Sequence, residues 1–234
     1  MSDPKIVLYG IQMTPFTQKV IRALRWKGLP FEYHEPGSPE QLRRWSPETG
    51  QLPVMEIDGE RTTDSEAILD ELDRRFPDPP LLSKDPKVAR EQRRLAAWVG
   101  ETFRFYLMRW ITREMGVDAS GDAHDPEGNA LGPLARMGLL SESGRIRDEA
   151  FELGDEGLGP EFERRIADLE AMLGARDYFH ADALSRADLS VFASLLGLYT
   201  NRFQGGRGLL ARHPNLVRFV ERVAERTGGM GMAP

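Results

Sequence analysis

Side chains able to carry out chemistry are few in this chain of 234 residues, and cysteine is not among them. Without a thiol of its own the protein can form no disulfide, no thiolate metal site and no covalent sulfur nucleophile. Any thiol that reacts here must arrive on a ligand. His34, His124, His180 and His213 stand far apart, and none has the H-E-x-x-H spacing of a zinc-binding helix. Asp118, Asp122, Asp125 and Glu127 are acidic but lack the glycine placement of a calcium loop, so no metal is expected. Gly205-Gly206-Arg207-Gly208 lacks the Lys-Ser/Thr of a phosphate-binding loop and reads as a turn, and no G-x-S-x-G elbow occurs. What remains are hydroxyls and carboxylates at the starts of predicted helices. Thr14 precedes Pro15, Asp64 and Ser65 precede an apolar helical pattern, and Ser185 stands three residues before Asp188. Each of these arrangements can cap a helix, satisfying backbone N–H groups that have no intrahelical partner.

The elements that would position these groups follow from periodicity. Ile6-Val7-Leu8-Tyr9 is a buried-strand pattern closed by Gly10, and a helix follows from Pro15 to a stop at Gly28. A second strand is expected over 31–34, and 39–45 reads as a short helix or an irregular turn. Residues 52–57 alternate as a strand, Asp58-Gly59 is a hairpin signal leading into 60–62, and 65–76 has helical spacing. Strand, helix, strand, hairpin and helix within about 80 residues is the order of a thioredoxin-like unit. Pro77, Pro79, Pro80 and Pro86 mark a linker. No strand is expected beyond it. Leu95, Trp98, Val99, Phe103, Tyr106 and Trp110 define a long amphipathic helix, and helices are expected over 162–173, 189–199 and 216–224. Residues 116–159, rich in glycine and acids, read as a loop or broken helices, and 228–234 as a frayed tail.

Composition narrows the function classes. A net charge of −6 argues against a sequence-independent nucleic-acid binder, which needs a basic footprint. No run of about 18 apolar residues occurs, so no membrane span is expected. The N-terminus shows no signal-peptide pattern, and a cytoplasmic location is expected.

Four segments, in this order and spacing, resemble the cytosolic glutathione transferase family. Thr14-Pro15-Phe16-Thr17-Gln18-Lys19-Val20 is similar to that family's Ser/Cys-Pro-Phe-x-x-Lys-Val. Gly50-Gln51-Leu52-Pro53 is similar to Gly-Lys/Gln-Val/Leu-Pro with its cis proline, and Asp64-Ser65-Glu66-Ala67-Ile68 to Glu/Asp-Ser-x-Ala-Ile. Ser185-Arg186-Ala187-Asp188 resembles the family's N-capping box, a structural device rather than a chemical one. The resemblance implies an α/β thioredoxin-like domain over residues 1–80, a linker over 81–86 and an all-α domain over 87–234. It implies glutathione as co-substrate, a small hydrophobic or electrophilic acceptor, and a two-fold homodimer. Arg74, Arg75, Arg90, Arg93 and Arg94 could pair with acids across such an axis.

The resemblance also assigns roles. Gln51, Leu52, Pro53, Asp64 and Ser65 would bind glutathione, with Leu52 backbone groups meeting its cysteinyl part and Ser65 its γ-glutamyl carboxylate. Gln51 can serve the tripeptide or be a solvated turn residue, and Asp64 can cap the helix in any case. Thr14 occupies the thiol-activating position, usually serine or cysteine. Its hydroxyl can donate to a thiolate, while its β-branch restricts the rotamer. Tyr9 is the second choice and Thr17 the third. Phe16, Tyr106 and Arg109 are candidates for the acceptor site. The alternative is a protein of the same fold that binds glutathione or another ligand, or a protein partner, without catalysis.

Overall fold

In a computed structural model of the chain, residues 4–114, 154–180, 182–203 and 205–231 are described. They divide into two compact units, one of residues 1–96, 178–193 and 221–234, the other of 97–177 and 194–220.

The first unit is built on a four-stranded mixed sheet of order β2-β1-β3-β4, with β1 at Ile6–Tyr9, β2 at Glu32–His34, β3 at Val54–Ile57 and β4 at Glu60–Thr63. Strand β1 runs parallel to β2 and antiparallel to β3, which is antiparallel to β4. Helix α1 (Pro15–Trp26) crosses between β1 and β2, α2 (Pro39–Trp45) leads toward β3, and α3 (Ser65–Arg75) follows β4 and packs on α1. This is the thioredoxin-like order. Residues 39–45, whose sequence suits a short helix or an irregular turn, are helical because Ser38 caps them by accepting from Gln41 N–H and Pro39 stands at the first position. At the β3–β4 turn Asp58 and Gly59 both have positive φ, 52° and 88°, as a two-residue hairpin turn of this hand requires.

Helix α1 is unusual in burying cations. Lys19 and Arg22 are buried beside the apolar Val20, Ile21, Ala23 and Leu24, and Lys27 follows at the C-cap. Lys27 Nζ binds Asp73 Oδ1 at 2.8 Å and the carbonyls of Phe76 and Pro79 at 2.7 Å, closing the C-terminal end of α3. Arg22 donates to the carbonyls of Thr227, Gly229 and Gly231, at 3.0, 2.6 and 2.6 Å, and its guanidinium lies over the Phe192 ring. Burial pulls the Arg22 guanidinium down to about 10. Of the frayed tail expected over 228–234, residues 228–231 are therefore held in place, and 232–234 lie outside the described residues.

The remaining helices are α4 (Pro86–Trp98), α5 (Arg104–Glu114), α6 (Gly154–Leu173), α7 (Arg186–Tyr199), α8 (Gly206–Leu210) and α9 (Pro214–Arg226). Among the described residues no strand lies beyond Thr63. The single long helix expected around Leu95–Trp110 is interrupted by a π-helical turn at Val99–Phe103. Of the loop expected over 116–159, residues 154–159 instead form the first turns of α6, and the rest lies outside the described residues. Leu158 and Phe162 are buried there, and that anchorage outweighs the low helix propensity of Gly154, Gly157 and Gly159. The glycines of 205–208 belong not to a simple turn but to the start of α8, which Gly205 precedes at φ 78°. In the second unit Phe103, Trp110 and Phe162 form a ring cluster with centroids 5.5–5.6 Å apart across α6.

Candidate functional site

Three loops meet at one end of the sheet because of its register. Tyr9 pairs with Val54 and Val54 with Thr63, so the loop after β1, the residues before β3 and those after β4 leave the sheet side by side. Thr14, Leu52-Pro53 and Asp64-Ser65 lie on those three segments. Gly10 makes the first of them possible. A Cβ there would stand 2.5 Å from Thr17 Cγ2, so only glycine lets the first turn of α1 approach the end of β1 this closely.

Thr14 is the N-cap of α1. Its backbone is extended (φ −82°, ψ 140°), and its Oγ1 accepts from Thr17 N–H at 3.2 Å. Its one hydroxyl proton has two acceptors at 3.0 Å, the Ile11 carbonyl and Thr17 Oγ1. Thr14 is 6% exposed and Thr17 is fully buried. The hydroxyl therefore sits at the positive end of the helix with its proton already in use inside the protein.

The start of α3 is arranged differently. Asp64 holds φ at 71°, a left-handed value uncommon outside glycine, and its Oδ1 accepts from Glu66 N–H at 2.8 Å and Ala67 N–H at 3.1 Å. It leaves the Ser65 N–H uncapped. Among the described residues nothing hydrogen-bonds the Ser65 hydroxyl, although the residue is largely buried. An N–H, a hydroxyl and a helix N-terminus thus converge on one point, a donor set suited to a carboxylate.

The Leu52–Pro53 bond is cis. Leu52 is half-buried, and none of the described residues hydrogen-bonds its N–H or C=O, which leaves an unpaired peptide edge just ahead of β3. Gln51 is exposed, and its N–H donates to Thr49 Oγ1 at 3.2 Å. Tyr9 points elsewhere. Its ring stacks on His34 at 5.6 Å, tilts against Trp45 at 4.9 Å and lies under the Arg61 guanidinium at 5.7 Å. Those contacts make it part of the packing between sheet and α2.

Of the acceptor-site candidates, Phe16 is half-buried with the Lys19 ammonium 5.9 Å from its ring centre. Tyr106 and Arg109 belong to the second unit, where Tyr106 is buried beneath the Arg165 guanidinium at 4.0 Å. Ser185 and Asp188 meet at the start of α7. Asp188 accepts from Ser185 N–H (2.8 Å), Ser185 Oγ–H (2.6 Å) and Phe179 N–H (2.9 Å). As in the expected box, the acid three residues on accepts the serine backbone N–H; in addition the Ser185 hydroxyl donates to the same carboxylate. Burial pushes the Asp188 carboxyl up to about 6 against those three donors. Among the described residues no group of three or more His, Asp or Glu side chains could hold a metal ion, and no helix is long and apolar enough to cross a membrane.

Sequence reasoning missed the charges beneath this site. Lys19 Nζ binds Glu66 Oε1, and Arg186, fully buried, binds Glu66 Oε2 at 2.9 Å, the Glu66 carbonyl at 2.8 Å and Asp70 Oδ1 at 2.5 Å. The Lys19–Glu66 pair ties the first turns of α1 and α3 together. Burial alone would raise the Glu66 carboxyl, but Lys19 and Arg186 hold it below its ordinary value. The signals were that Lys19 lies on the apolar side of α1 and matches the lysine of the Pro-Phe-x-x-Lys-Val pattern.

Residues 8–80 match the N-terminal domain of glutathione S-transferases, and residues 162–223 match their C-terminal domain. The chain belongs to the glutathione S-transferase family. Glutathione S-transferase U6 of Arabidopsis thaliana is 32% identical over 102 residues, 42% of this chain and about half (46%) of that relative's length. A probable glutathione S-transferase of Nicotiana tabacum is 25% identical over 222 residues, 92% of this chain and 82% of its own. Among solved structures, a glutathione S-transferase of Methylobacterium radiotolerans in complex with glutathione sulfonate superposes with a TM-score of 0.64. It is 24% identical, covering 96% of this chain and 95% of that one. The glutathione S-transferase fold thus accounts for both the sheet with its helices and the helical remainder.

Proposed function

We propose that this chain is a glutathione transferase-like enzyme that holds glutathione across the three converging loops and activates its thiol at Thr14. The observation that carries the reading is the start of α3, where Asp64 caps two N–H groups and leaves Ser65 N–H and Oγ for the γ-glutamyl carboxylate. The Leu52 peptide edge then pairs with the extended tripeptide, as one strand end pairs with another. Gln51 contacts the same ligand. Residues 1–80 make up the glutathione-binding domain, 81–86 the linker and 87–234 the helical domain. The protein works as a cytoplasmic homodimer on a small hydrophobic or electrophilic acceptor, with Phe16, Tyr106 and Arg109 as acceptor-site candidates.

A free thiol ionises at a pKa of about 8.5, so only a few per cent is thiolate at neutral pH. Lowering it by two units requires about 2.7 kcal/mol in favour of the anion. A hydrogen bond to a charged group gives roughly 1.5–3 kcal/mol, and a helix N-terminus adds roughly 0.3–1. Thr14 supplies both once its proton turns from the Ile11 carbonyl to sulfur.

The second reading, binding without catalysis, is favoured by that same proton, which Ile11 and Thr17 already accept at 3.0 Å. Retention on immobilised glutathione, combined with conjugation of an electrophilic aromatic halide, separates the two. Retention with turnover is expected. Retention without turnover selects the binding protein, and no retention overturns the enzyme and leaves, of the alternative, only another ligand or a protein partner.

A further inference from the structure

We propose that Lys19 and Arg186 are positioning residues for the carboxylate bound at Ser65: they neutralise Glu66 and pin the first turn of α3. This inference rests on the glutathione reading above.

The start of α3 poses an electrostatic problem. The donors at Ser65 are flanked by two carboxylates, Asp64 and Glu66, each of which would repel an incoming carboxylate. Asp64 is occupied by the N–H groups of Glu66 and Ala67. Glu66 is neutralised one oxygen at a time, Oε1 by Lys19 and Oε2 by Arg186. The same guanidinium takes the Glu66 carbonyl, so it fixes backbone and side chain of the residue next to Ser65 together. Asp70 completes the set, shared between Arg186 at 2.5 Å and Arg93 at 2.9 Å.

Helix stability alone does not call for this arrangement. The side chain of Lys19 is 4% exposed and that of Arg186 0%, and stripping water from two cations usually cancels what their ion pairs return. An exposed lysine would hold α3 as well. The Glu66 side chain is 38% exposed, but both cations on it are buried, so they offset its charge at the adjoining anion site with less solvent screening than an exposed lysine would.

Calorimetric titration with glutathione tests the proposal. The comparison ligand is glutathione whose γ-glutamyl α-carboxylate has been converted to the amide. Lys19→Met should weaken glutathione binding about tenfold, the effect of one uncompensated charge at close range. Adding Glu66→Gln to that variant should recover binding to within about threefold of wild type, since the offending charge is gone. The amide ligand, which keeps the α-ammonium but lacks the carboxylate, should lose no affinity in Lys19→Met, and the bound-thiol pKa should be the same in wild type and variant. Asp70→Asn, at an exposed position that does not threaten folding, leaves Arg186 less compensated and should tighten glutathione about two- to threefold. Unchanged affinity in Lys19→Met, a loss that Glu66→Gln fails to restore, an equal loss with the amide, or no tightening in Asp70→Asn each overturns the inference. If wild type binds no glutathione, the reading on which the inference rests falls with it. If wild type binds and Lys19→Met binds equally, only the inference falls.

Discussion

Helices α1 and α3 begin at the same end of the sheet, each with a hydroxyl residue at the threshold, and the two hydroxyls are used in opposite ways. Thr14 is itself the cap, so its oxygen accepts Thr17 N–H and its proton finds acceptors inside the protein. Ser65 stands one position further in, behind Asp64, and the aspartate takes over the capping. One position in register decides whether a hydroxyl is spent on its own helix or left for a ligand. Under the proposed function the two sites differ accordingly: Ser65 would bind as it stands, whereas Thr14 would exchange a partner before it could act.

Substitutions at these two starts should therefore differ in kind. Ser65→Ala removes a donor with no internal duty, so stability should hold. Glutathione affinity should fall about 10- to 100-fold, the equivalent of roughly 1.5–3 kcal/mol for a hydrogen bond to a charged group. A change below about threefold by calorimetry would break the comparison at its stronger end. Thr14→Val should lower turnover at neutral pH about tenfold or more, raise the bound-thiol pKa by about one to two units and leave affinity nearly unaltered. Because Thr14 also caps α1, the same variant should lose about 1 kcal/mol of stability, which Thr14→Ser should retain along with activity. Turnover of Thr14→Val should recover at high pH, where the thiol ionises unaided; if it does not, thiol activation is not what Thr14 supplies.

The start of α7 extends the comparison to a helix whose serine and acid both lie buried. Asp188 has its folded pKa raised to about 6, above the value near 3.9 of an unfolded aspartate. The folded state therefore holds this proton more tightly. The stabilisation that results is complete below about pH 4 and disappears as pH rises through about 6. Relative to Asp188→Asn, wild type should lose stability between those limits in denaturant titrations, and parallel curves would show that the carboxyl does not titrate there. The smallest effect is expected from Tyr9→Phe. With its ring held by His34, Trp45 and Arg61, loss of the hydroxyl alone should change turnover less than about twofold, equivalent to under about 0.5 kcal/mol. A collapse of activity in Tyr9→Phe would move the thiol-activating role from Thr14 to the tyrosine.

Much of this was legible in the sequence because it is local. The strand Ile6–Tyr9, the Thr14-Pro15 start, the Asp58-Gly59 turn and the Asp64 cap each follow from a few neighbouring residues. The buried cations were not legible. Charge type predicts a solvated side chain, and the partners that overrule it are remote, Glu66 being 47 residues from Lys19 and Asp70 being 116 from Arg186. The same holds at 154–159, where glycine content pointed to a loop and the burial of Leu158 and Phe162 decided for helix. The direction of the Ser185 hydroxyl was also out of reach, since it depends on Phe179 N–H sharing Asp188 from nine residues away.

The grip of Arg22 on the Thr227, Gly229 and Gly231 carbonyls bears on how the protein is made. These contacts span 205 to 209 residues, so the unit that carries Thr14 and Ser65 lacks them when its own sheet has left the ribosome. Until residues 227–231 follow, α1 has a guanidinium facing its interior with no acceptor for it. At about 5–20 residues per second, that interval lasts on the order of ten seconds or more, long beside the folding time of a small domain. The unit that carries Thr14 and Ser65 is thus completed only when residues 227–231 have followed its sheet.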